Sequence, residues 1–291
     1  MAPNPDNNSP LEQATSALNG RPAETETAQS PCRTLHNVCL EVRAKVDNFL
    51  DEDPESSLLR NVQARVREAM GVIDEAFQRY EPREISISYN GGKDCLVLLV
   101  LILACLARRS PPPPNNQPPK PAIDCPDSSR CPDTFQAVYI VSPHPFAEID
   151  DFVITSSAEY RLDVNRYELG MKQGLQEYLA DRPNIKAIFV GTRRTDPHGE
   201  KLTYFDPTDS GWPDFMRVHP VIDWHYVEIW AFIRHLQIPY CPLYDRGYTS
   251  LGGTEDTHPN PHLKKKGENG TGFLPAYELV GDSEERLGRD S

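Results

Sequence analysis

The sequence predicts an α/β protein in which helices flank a mostly parallel sheet. Three segments have the apolar or alternating pattern of strands: Glu84–Tyr89, Gln136–Val141 and Ile185–Val190. Segments whose apolar residues recur at helical spacing separate them, and this alternation is typical of parallel sheets with right-handed crossovers. A polar or glycine-containing loop follows each strand: Asn90–Asp94, Ser142–Phe146 and Gly191–Asp196. Because the functional residues of such sheets lie at the carboxyl ends of the strands, these loops are the predicted location of a site.

The elements before the first strand are a tail and two amphipathic helices. Residues 1–31 are rich in Pro, Asn, Ser, Thr, Glu and Gln and poor in large apolar groups, so we expect a disordered tail. One face of the second helix carries apolar residues at steps of three or four: Leu59, Val62, Val66, Met70, Ile73, Phe77 and Tyr80. Pro82 ends this helix just before the first strand.

The next helix, Cys95–Arg108, is apolar nearly all round, so we expect it to be buried against the sheet. A Pro-rich insertion, 110–133, follows it and has no assigned function. Further helices are predicted from Ala147, over Glu168–Leu179 and over Trp224–Leu236. The predicted organisation is a tail, an α/β core with two leading helices and a loop-rich C-terminal lobe: 1–31, 32–236 and 237–291.

Charge and composition narrow the classes of partner. The 291 residues carry a formal net charge of -13, which argues against nucleic acid and anionic membranes because phosphates select basic faces. The longest apolar run, Cys95–Leu106, is too short to span a bilayer. The start of the chain lacks the pattern of a secretory signal, and the 7 cysteines are scattered as in reduced cytosolic proteins. We therefore expect a cytoplasmic protein with no nucleic-acid or membrane partner. A monomer is expected as well, although this does not follow from the composition.

A glycine-rich turn joins the first strand to the following helix: Ser88-Tyr-Asn-Gly-Gly-Lys-Asp-Cys95. Gly91 and Gly92 permit backbone angles that other residues avoid, and they leave room for a ligand near the main chain. The helix start offers unpaired N–H groups and a positive dipole end, and Lys93 adds a charge, so the turn suits a phosphate chain. Its spacing differs from both the Walker A loop and G-x-G-x-x-G. A structural Gly-Gly turn accounts for the same residues equally well.

Charged residues follow the third strand, in Gly191-Thr-Arg-Arg-Thr-Asp-Pro-His198. Asp209 then opens a segment in which Trp212, Phe215 and Arg217 lie close together. These residue types suit a flat apolar slot with a polar edge, of the kind that holds an aromatic ring. The alternatives are ordinary core packing of the aromatics and a solvated pair of arginines. Two basic groups at a strand end opposite a phosphate loop make the solvated pair less favoured.

Taken together, these residues resemble the FAD synthetase (FMN adenylyltransferase) family of the phosphoadenosine-phosphosulfate (PAPS)-reductase-like superfamily. The turn itself resembles the pyrophosphate-binding loop Ser-Gly-Gly-x-Asp-Ser of ATP pyrophosphatase-like families. The segments that carry the resemblance are Ser88–Cys95, Phe189–Gly199, Asp209–Pro220, Pro242–Asn260 and Glu285–Arg289. The chain is most similar to the single-domain fungal type. The resemblance implies an adenine nucleotide alpha-hydrolase-like fold and transfer of AMP from ATP to FMN, with FAD and pyrophosphate as products.

The resemblance also implies roles for individual residues. The ATP-binding residues would be Ile87, Ser88, Tyr89, Asn90, Gly91, Gly92, Lys93 and Asp94, with the first three on the adenine side. The FMN-binding residues would be Gly191, Arg193, Arg194, Trp212, Phe215 and Arg217. The catalytic residues would be Asp196, Asp209, Arg286 and Arg289. Mg²⁺ would bridge the ATP phosphates, and its protein ligands stay open, with Asp94 and Asp196 as candidates.

Two other functions remain alternatives. A PAPS-reductase-like enzyme would need a nucleophilic cysteine near the C-terminus, whereas the last cysteine is Cys241 and Glu285–Arg289 contains none. A non-catalytic flavin or nucleotide carrier could keep the glycine-rich loop and the aromatic slot while losing the acids and the tail arginines. Both sets are present, which favours catalysis.

Overall fold

The computed structural model describes residues 33–109, 133–265 and 272–290. The predicted tail, 1–31, lies outside these ranges, as does the insertion 110–133 except for its last residue. The described residues belong to one compact unit.

One six-stranded sheet forms the centre of the fold. Its strands are β1 Ile85–Ser88, β2 Phe135–Ile140, β3 Leu162–Tyr167, β4 Ala187–Phe189, β5 Phe205–Pro207 and β6 Met216–Val218. They lie in the order β3-β2-β1-β4-β6-β5, and every neighbouring pair is parallel except β5 with β6. In β1, Ile87 is in register with Ala137 of β2 on one side and with Phe189 of β4 on the other. The prediction of a mostly parallel sheet is confirmed.

In the described part of the chain, six α-helices accompany the sheet: α1 Leu35–Asp51, α2 Ser57–Arg79, α3 Lys93–Leu106, α4 Ala147–Glu159, α5 Met171–Asp181 and α6 Tyr226–His235. Each predicted helix has a counterpart here. Helix α3 contacts β1 as well as α1, α2 and α6, so all its faces are covered. This explains why its sequence is apolar all round, since each residue from Cys95 to Leu106 is buried.

Three strands have no counterpart among the sequence predictions. Strand β3, Leu-Asp-Val-Asn-Arg-Tyr, carries polar residues because it lies at an edge of the sheet, where one side lacks a strand neighbour. Strands β5 and β6 have three residues each, which is too short for an alternating pattern to stand out. All three are held by pairing with a neighbour: β3 with β2, and β5 and β6 with each other.

The C-terminal residues form short 3-10 segments at Pro242–Arg246, Pro261–Leu263, Ala276–Glu278 and Asp282–Glu284. Their apolar residues, including Leu243, Tyr244 and Leu263, belong to the same hydrophobic cluster as α3. The division into a core and a separate lobe at residue 236 therefore stays a prediction. Within the described ranges, no helix is both long and apolar enough to cross a membrane.

Candidate active site

Two adjoining cavities lie at the carboxyl ends of β1 and β4. The first, which we call the loop cavity, has a volume of about 390 Å³ and is lined by the glycine-rich turn, by Gly191 and by Arg286. The second, which we call the slot, has a volume of about 240 Å³ and is lined by Trp212 and Arg217 among others. Ser88, Val190 and Thr192 line both cavities, so ligands in the two would meet at these residues.

The glycine-rich turn takes its shape from its own side chains. Gly91 has a φ of +73°, and a Cβ at this position would lie 3.0 Å from Cγ2 of Val153. The Oδ1 atom of Asn90 accepts hydrogen bonds from the Gly92 N–H at 3.0 Å and from the Cys95 thiol at 3.1 Å. These contacts place the N-terminus of α3 at the floor of the loop cavity, with its dipole favouring an anion.

Tyr244, from the first C-terminal 3-10 segment, reaches this helix end and lines the loop cavity. Its Oη accepts a hydrogen bond from the backbone N–H of Lys93 at 2.8 Å, and burial holds the pKa of the phenol well above its ordinary value. The hydroxyl therefore keeps its proton and satisfies one of the N–H groups left unpaired at the start of α3.

Buried charges form a network beside the loop cavity. The Lys93 ammonium is 2.9 Å from Asp94 Oδ2, and the Arg193 Nε is 2.9 Å from Asp94 Oδ1. Both cations also contact Glu285, which hydrogen-bonds Lys93 through one oxygen and Arg193 through the other. Arg193 further contacts Asp196 at 3.3 Å and Asp282 at 3.6 Å.

This network fixes the charges of its members. Burial opposes ionisation of Lys93, but Asp94 and Glu285 outweigh it and raise the pKa of the ammonium above its ordinary value. Burial would likewise raise the pKa of Asp94, yet Arg193 and Lys93 together hold it below its ordinary value. Lys93 and Asp94 are therefore both ionised at neutral pH.

The slot has apolar walls and a polar edge. Its apolar residues come from α5, from the end of β4 and from the loops on either side of β5: Met171, Leu175, Ile188, Val190, Leu202, Trp212 and Phe215. Trp212 is 41% exposed and Phe215 is buried, so the indole lies nearer the mouth than the phenyl ring. Arg217 donates to the Pro207 carbonyl at 2.9 Å and lies 3.5 Å from Asp209. A flat ring with polar substituents along one side suits this composition.

A buried histidine also lines the slot. His219 follows β6 and is 1% exposed, and its Nδ1 has no hydrogen-bond partner among the described residues. Burial lowers the pKa of His219 to about 4, so the imidazole is neutral at physiological pH. His219 is not among the FMN-binding residues predicted from the sequence.

The predicted catalytic residues are divided between the two cavities. Asp196 and Arg286 line the loop cavity, whereas Asp209 lines the slot. Arg289 lines neither, because its guanidinium binds Asp256 at 2.9 Å and the Leu251 carbonyl at 2.9 Å.

Among the predicted ATP-binding residues, Ser88 and the turn from Asn90 to Asp94 lie at or beside the loop cavity. Ile87 and Tyr89 line neither cavity and are fully buried in the core. The reason is the two-residue period of a strand, which directs these two side chains away from the face that Ser88 occupies. The Tyr89 hydroxyl instead hydrogen-bonds Ser156 at 2.8 Å.

The predicted FMN-binding residues also separate. Trp212, Phe215 and Arg217 line the slot, but Gly191 lines the loop cavity. Arg193 is enclosed in the charge network. Arg194 is exposed and points elsewhere, since it pairs with Asp223 at 2.6 Å and donates to the Glu200 and Leu202 carbonyls.

Sequence reasoning missed two residues at the heart of the site, Tyr244 and Glu285. Glu285 opens one of the segments that carried the family resemblance, so that segment could have drawn attention to it. Tyr244 likewise lies in such a segment, Pro242–Asn260, although its contact with Lys93 spans 151 positions of chain.

Comparison with known proteins gives a consistent result. Residues 84–259 match the phosphoadenosine phosphosulfate reductase domain. A probable FAD synthase from Schizosaccharomyces pombe is 38% identical over 250 residues, which cover 86% of this chain and 88% of the relative. The flavin adenine dinucleotide synthase of Saccharomyces cerevisiae is 34% identical over 87% of this chain and 82% of its own. The crystal structure of Candida glabrata FMN adenylyltransferase with FMN and the ATP analogue AMPCPP superposes with a TM-score of 0.78 at 28% identity, covering 88% of this chain and 100% of that one.

Proposed function

The chain belongs to the FAD synthase family within the phosphoadenosine phosphosulfate reductase domain proteins, and from this premise we propose that its site transfers AMP from ATP to FMN. The products are FAD and pyrophosphate, and the protein is a nucleotidyltransferase. The proposal rests on the two adjoining cavities. The loop cavity contains a helix N-terminus suited to an anion, the slot suits a flat ring, and the two meet at Ser88, Val190 and Thr192.

The reaction needs positioning more than covalent help. An oxygen of the FMN phosphate attacks the α-phosphorus of ATP, and the bond between that phosphorus and the bridging oxygen to the β-phosphate breaks. Pyrophosphate leaves with the bonding electrons, so phosphorus keeps its four oxygen neighbours. The site contributes by holding the two phosphates in line and by stabilising the charge that moves to the leaving group.

The loop cavity would hold the triphosphate of ATP. Supporting this are the N-terminus of α3 and the positions of Gly92 and Arg286 in the cavity wall. The ammonium of Lys93 is 2% exposed and surrounded by carboxylates, so its role would be to stabilise the turn rather than to touch a phosphate.

The slot would hold the isoalloxazine ring of FMN, with the phosphate directed towards Thr192. Trp212 and Phe215 supply aromatic contacts, and Arg217 supplies hydrogen-bond donors at the ring edge. Asp209 would keep Arg217 in place, which gives this acid a positioning role in FMN binding.

The residues of the loop cavity fit a magnesium ion held mainly by ATP. Among the described residues, no group of three or more His, Cys, Asp or Glu side chains could hold a metal ion by itself. Both oxygens of Asp94 already face cations, whereas only Oδ1 of Asp196 faces one, and its Oδ2 accepts a hydrogen bond from the Arg193 backbone N–H at 2.8 Å. Asp196 is therefore the proposed protein ligand, and the ion would neutralise negative charge on the phosphates when bound.

A reductase function has less support. Cys95 lines the loop cavity, but burial raises the pKa of its thiol to about 12, so the nucleophilic thiolate is scarce at neutral pH. A cytoplasmic location remains a proposal that rests on composition alone, and a monomeric state remains a proposal without that support.

The experiment is to mix the protein with FMN, ATP and Mg²⁺ and to separate the flavins by chromatography. Wild-type protein should give FAD and pyrophosphate in equal amounts, Arg286→Ala should give far less, and Arg246→Ala should match wild type. Arg246 is a suitable control because it pairs with Glu148 on the surface, outside both cavities. Binding of FMN or ATP without FAD formation would leave a non-catalytic carrier.

A further inference from the structure

A single carboxylate, Glu285, joins three parts of the site. It comes from the C-terminal segment and is 5% exposed. One oxygen accepts a hydrogen bond from Lys93, in the turn after β1, and the other accepts one from Arg193, in the loop after β4. Glu285 therefore attaches the end of the chain to the loops of two neighbouring strands.

The two cations are already satisfied by carboxylates. Lys93 and Arg193 are 1% and 0% exposed, and their contacts are Asp94, Asp196, Asp282 and Glu285. If either cation turned towards a phosphate, Asp94 and Glu285 would each lose one of their two ion pairs in buried surroundings, which is unfavourable. Positive charge for the triphosphate must therefore come from elsewhere.

Arg286 is the adjacent source of that charge. It is exposed and lines the loop cavity, and its side chain makes no hydrogen bond or ion pair with the described residues. Its backbone position depends on Glu285, the preceding residue. A free guanidinium beside an anchored carboxylate is thus held at the wall where a triphosphate would lie.

The backbone at Glu285 is anchored as firmly as the side chain. The Thr249 hydroxyl donates to the Glu285 carbonyl at 2.6 Å, and Asn260 donates to the Glu284 carbonyl at 2.8 Å and to Thr249 at 2.9 Å. Thr249 and Asn260 are 1% and 0% exposed, so these hydrogen bonds are shielded from water.

We propose that Glu285 is a positioning residue, which fastens the C-terminal segment to the turn after β1 and the loop after β4 and thereby holds Arg286 against the triphosphate. This inference rests on the proposed function, because it assigns the triphosphate to the loop cavity. Glu285 also lines the loop cavity, but Lys93 and Arg193 occupy its two oxygens, so we assign it no contact with the substrate. Its effect on the reaction passes through Arg286.

The test compares Glu285→Gln with Glu284→Gln. Glutamine keeps the size of Glu285, but its NH₂ group must face either Lys93 or Arg193. One of these cations therefore loses the hydrogen-bond acceptor that Glu285 provides. Glu284 is a matched control because its side chain's one ion pair among the described residues is with His262, at 3.2 Å on the surface. Glu285→Gln should raise the KM for ATP at least tenfold and leave the FMN dissociation constant within twofold, and Glu284→Gln should change neither.

Two further measurements separate positioning from a general structural role. In a double-mutant cycle, Glu285→Gln combined with Arg286→Ala should be no worse for ATP than Arg286→Ala alone, since one acts through the other. Fully additive losses would overturn the proposal. Trypsin should cleave after Arg289 at least tenfold faster in Glu285→Gln than in wild type, and equal cleavage rates would show that the segment is anchored without this carboxylate.

A variant that fails to fold would lose FMN binding as well, and Thr249→Val would then carry the test. It removes the hydroxyl that holds the Glu285 carbonyl without changing any charge. We expect a smaller rise in the KM for ATP and faster cleavage, and no change in either would contradict the proposal. If wild-type protein makes no FAD, the proposed function fails, whereas the cleavage rates still decide whether Glu285 anchors the segment.

Discussion

Replacing Gly191 with alanine should damage both cavities through one added methyl group. Gly191 follows β4 and lies against the first turn of α3. A Cβ here would lie 2.9 Å from the Cys95 nitrogen, 3.1 Å from the Asp94 carbonyl carbon and 3.2 Å from the Cys95 Cα. All three atoms belong to the backbone, so no side-chain rotation can relieve the contact. The loop after β4 and the turn after β1 must move apart.

The size of the effect follows from these distances. Ordinary contacts begin at 3.4 Å, so the closest pair must separate by several tenths of an ångström. Overpacking of this kind costs about 1–3 kcal/mol of stability. The same movement displaces Thr192 from Ser88 where the two substrates would meet, and a misplacement on the order of 1 Å can lower catalysis about 100-fold. We therefore expect kcat/KM for FAD formation to fall by roughly 10- to 100-fold.

The assays are urea unfolding and FAD formation on the same preparations. The matched control is Gly71→Ala, in the exposed part of α2, where an added Cβ would meet nothing within 4 Å. Alanine there should raise the free energy of unfolding by about 0.5–1 kcal/mol and leave activity unchanged. If Gly191→Ala keeps wild-type stability and a kcat/KM within twofold, the close approach of the two loops does not shape the site.

Three other changes test separate parts of the site. Trp212→Ala removes an aromatic contact worth roughly 0.5–1.5 kcal/mol, so the FMN dissociation constant should rise roughly two- to tenfold with an unchanged KM for ATP. Flavin fluorescence measures this constant, and an unchanged FMN affinity would place the ring elsewhere. The pKa of His219 is lowered to about 4, so the unfolded chain binds a proton more readily than the folded protein. This group's contribution to the free energy of unfolding should therefore fall by roughly 2 kcal/mol between pH 7 and pH 5, and His219→Asn should lack that slope in urea unfolding. Equal slopes in the two proteins would mean that His219 is not buried in the neutral form. Arg289→Ala breaks contacts to Asp256 and to Leu251, and Leu251 lines the loop cavity. The KM for ATP should therefore rise about tenfold while FMN binding persists. A matching loss of FMN affinity would indicate wider unfolding.

The sequence predicted the central part of the fold because those elements have strong patterns. Helix α3 is apolar on every face, and β1 combines alternation with a glycine-rich turn, so both were found within two residues of their ends. Strand β3 was missed because its polar residues suit an edge position that only the pairing with β2 makes clear. Local pattern cannot reveal a strand whose stability comes mainly from its neighbour.

The same limit applies to the site. The turn after β1 and the aromatic residues of the slot were found because each set is contiguous in the chain. The environment of Lys93 was not, since its partner Glu285 lies 192 positions away in the chain. The neutral state of His219 likewise depends on its burial. That burial could not be predicted, because the three-residue strands and loops around His219 have no recognisable sequence pattern.

The most direct test of AMP transfer follows the two ends of ATP separately. Wild-type protein is given FMN and Mg²⁺ with ATP labelled either at the α-phosphorus or at the γ-phosphorus, and the products are separated by chromatography. If the site transfers AMP, the α-label appears in FAD and the γ-label appears in pyrophosphate, in equal amounts. Release of the α-label as free AMP, or of the γ-label as phosphate, with the flavin remaining FMN, would contradict it.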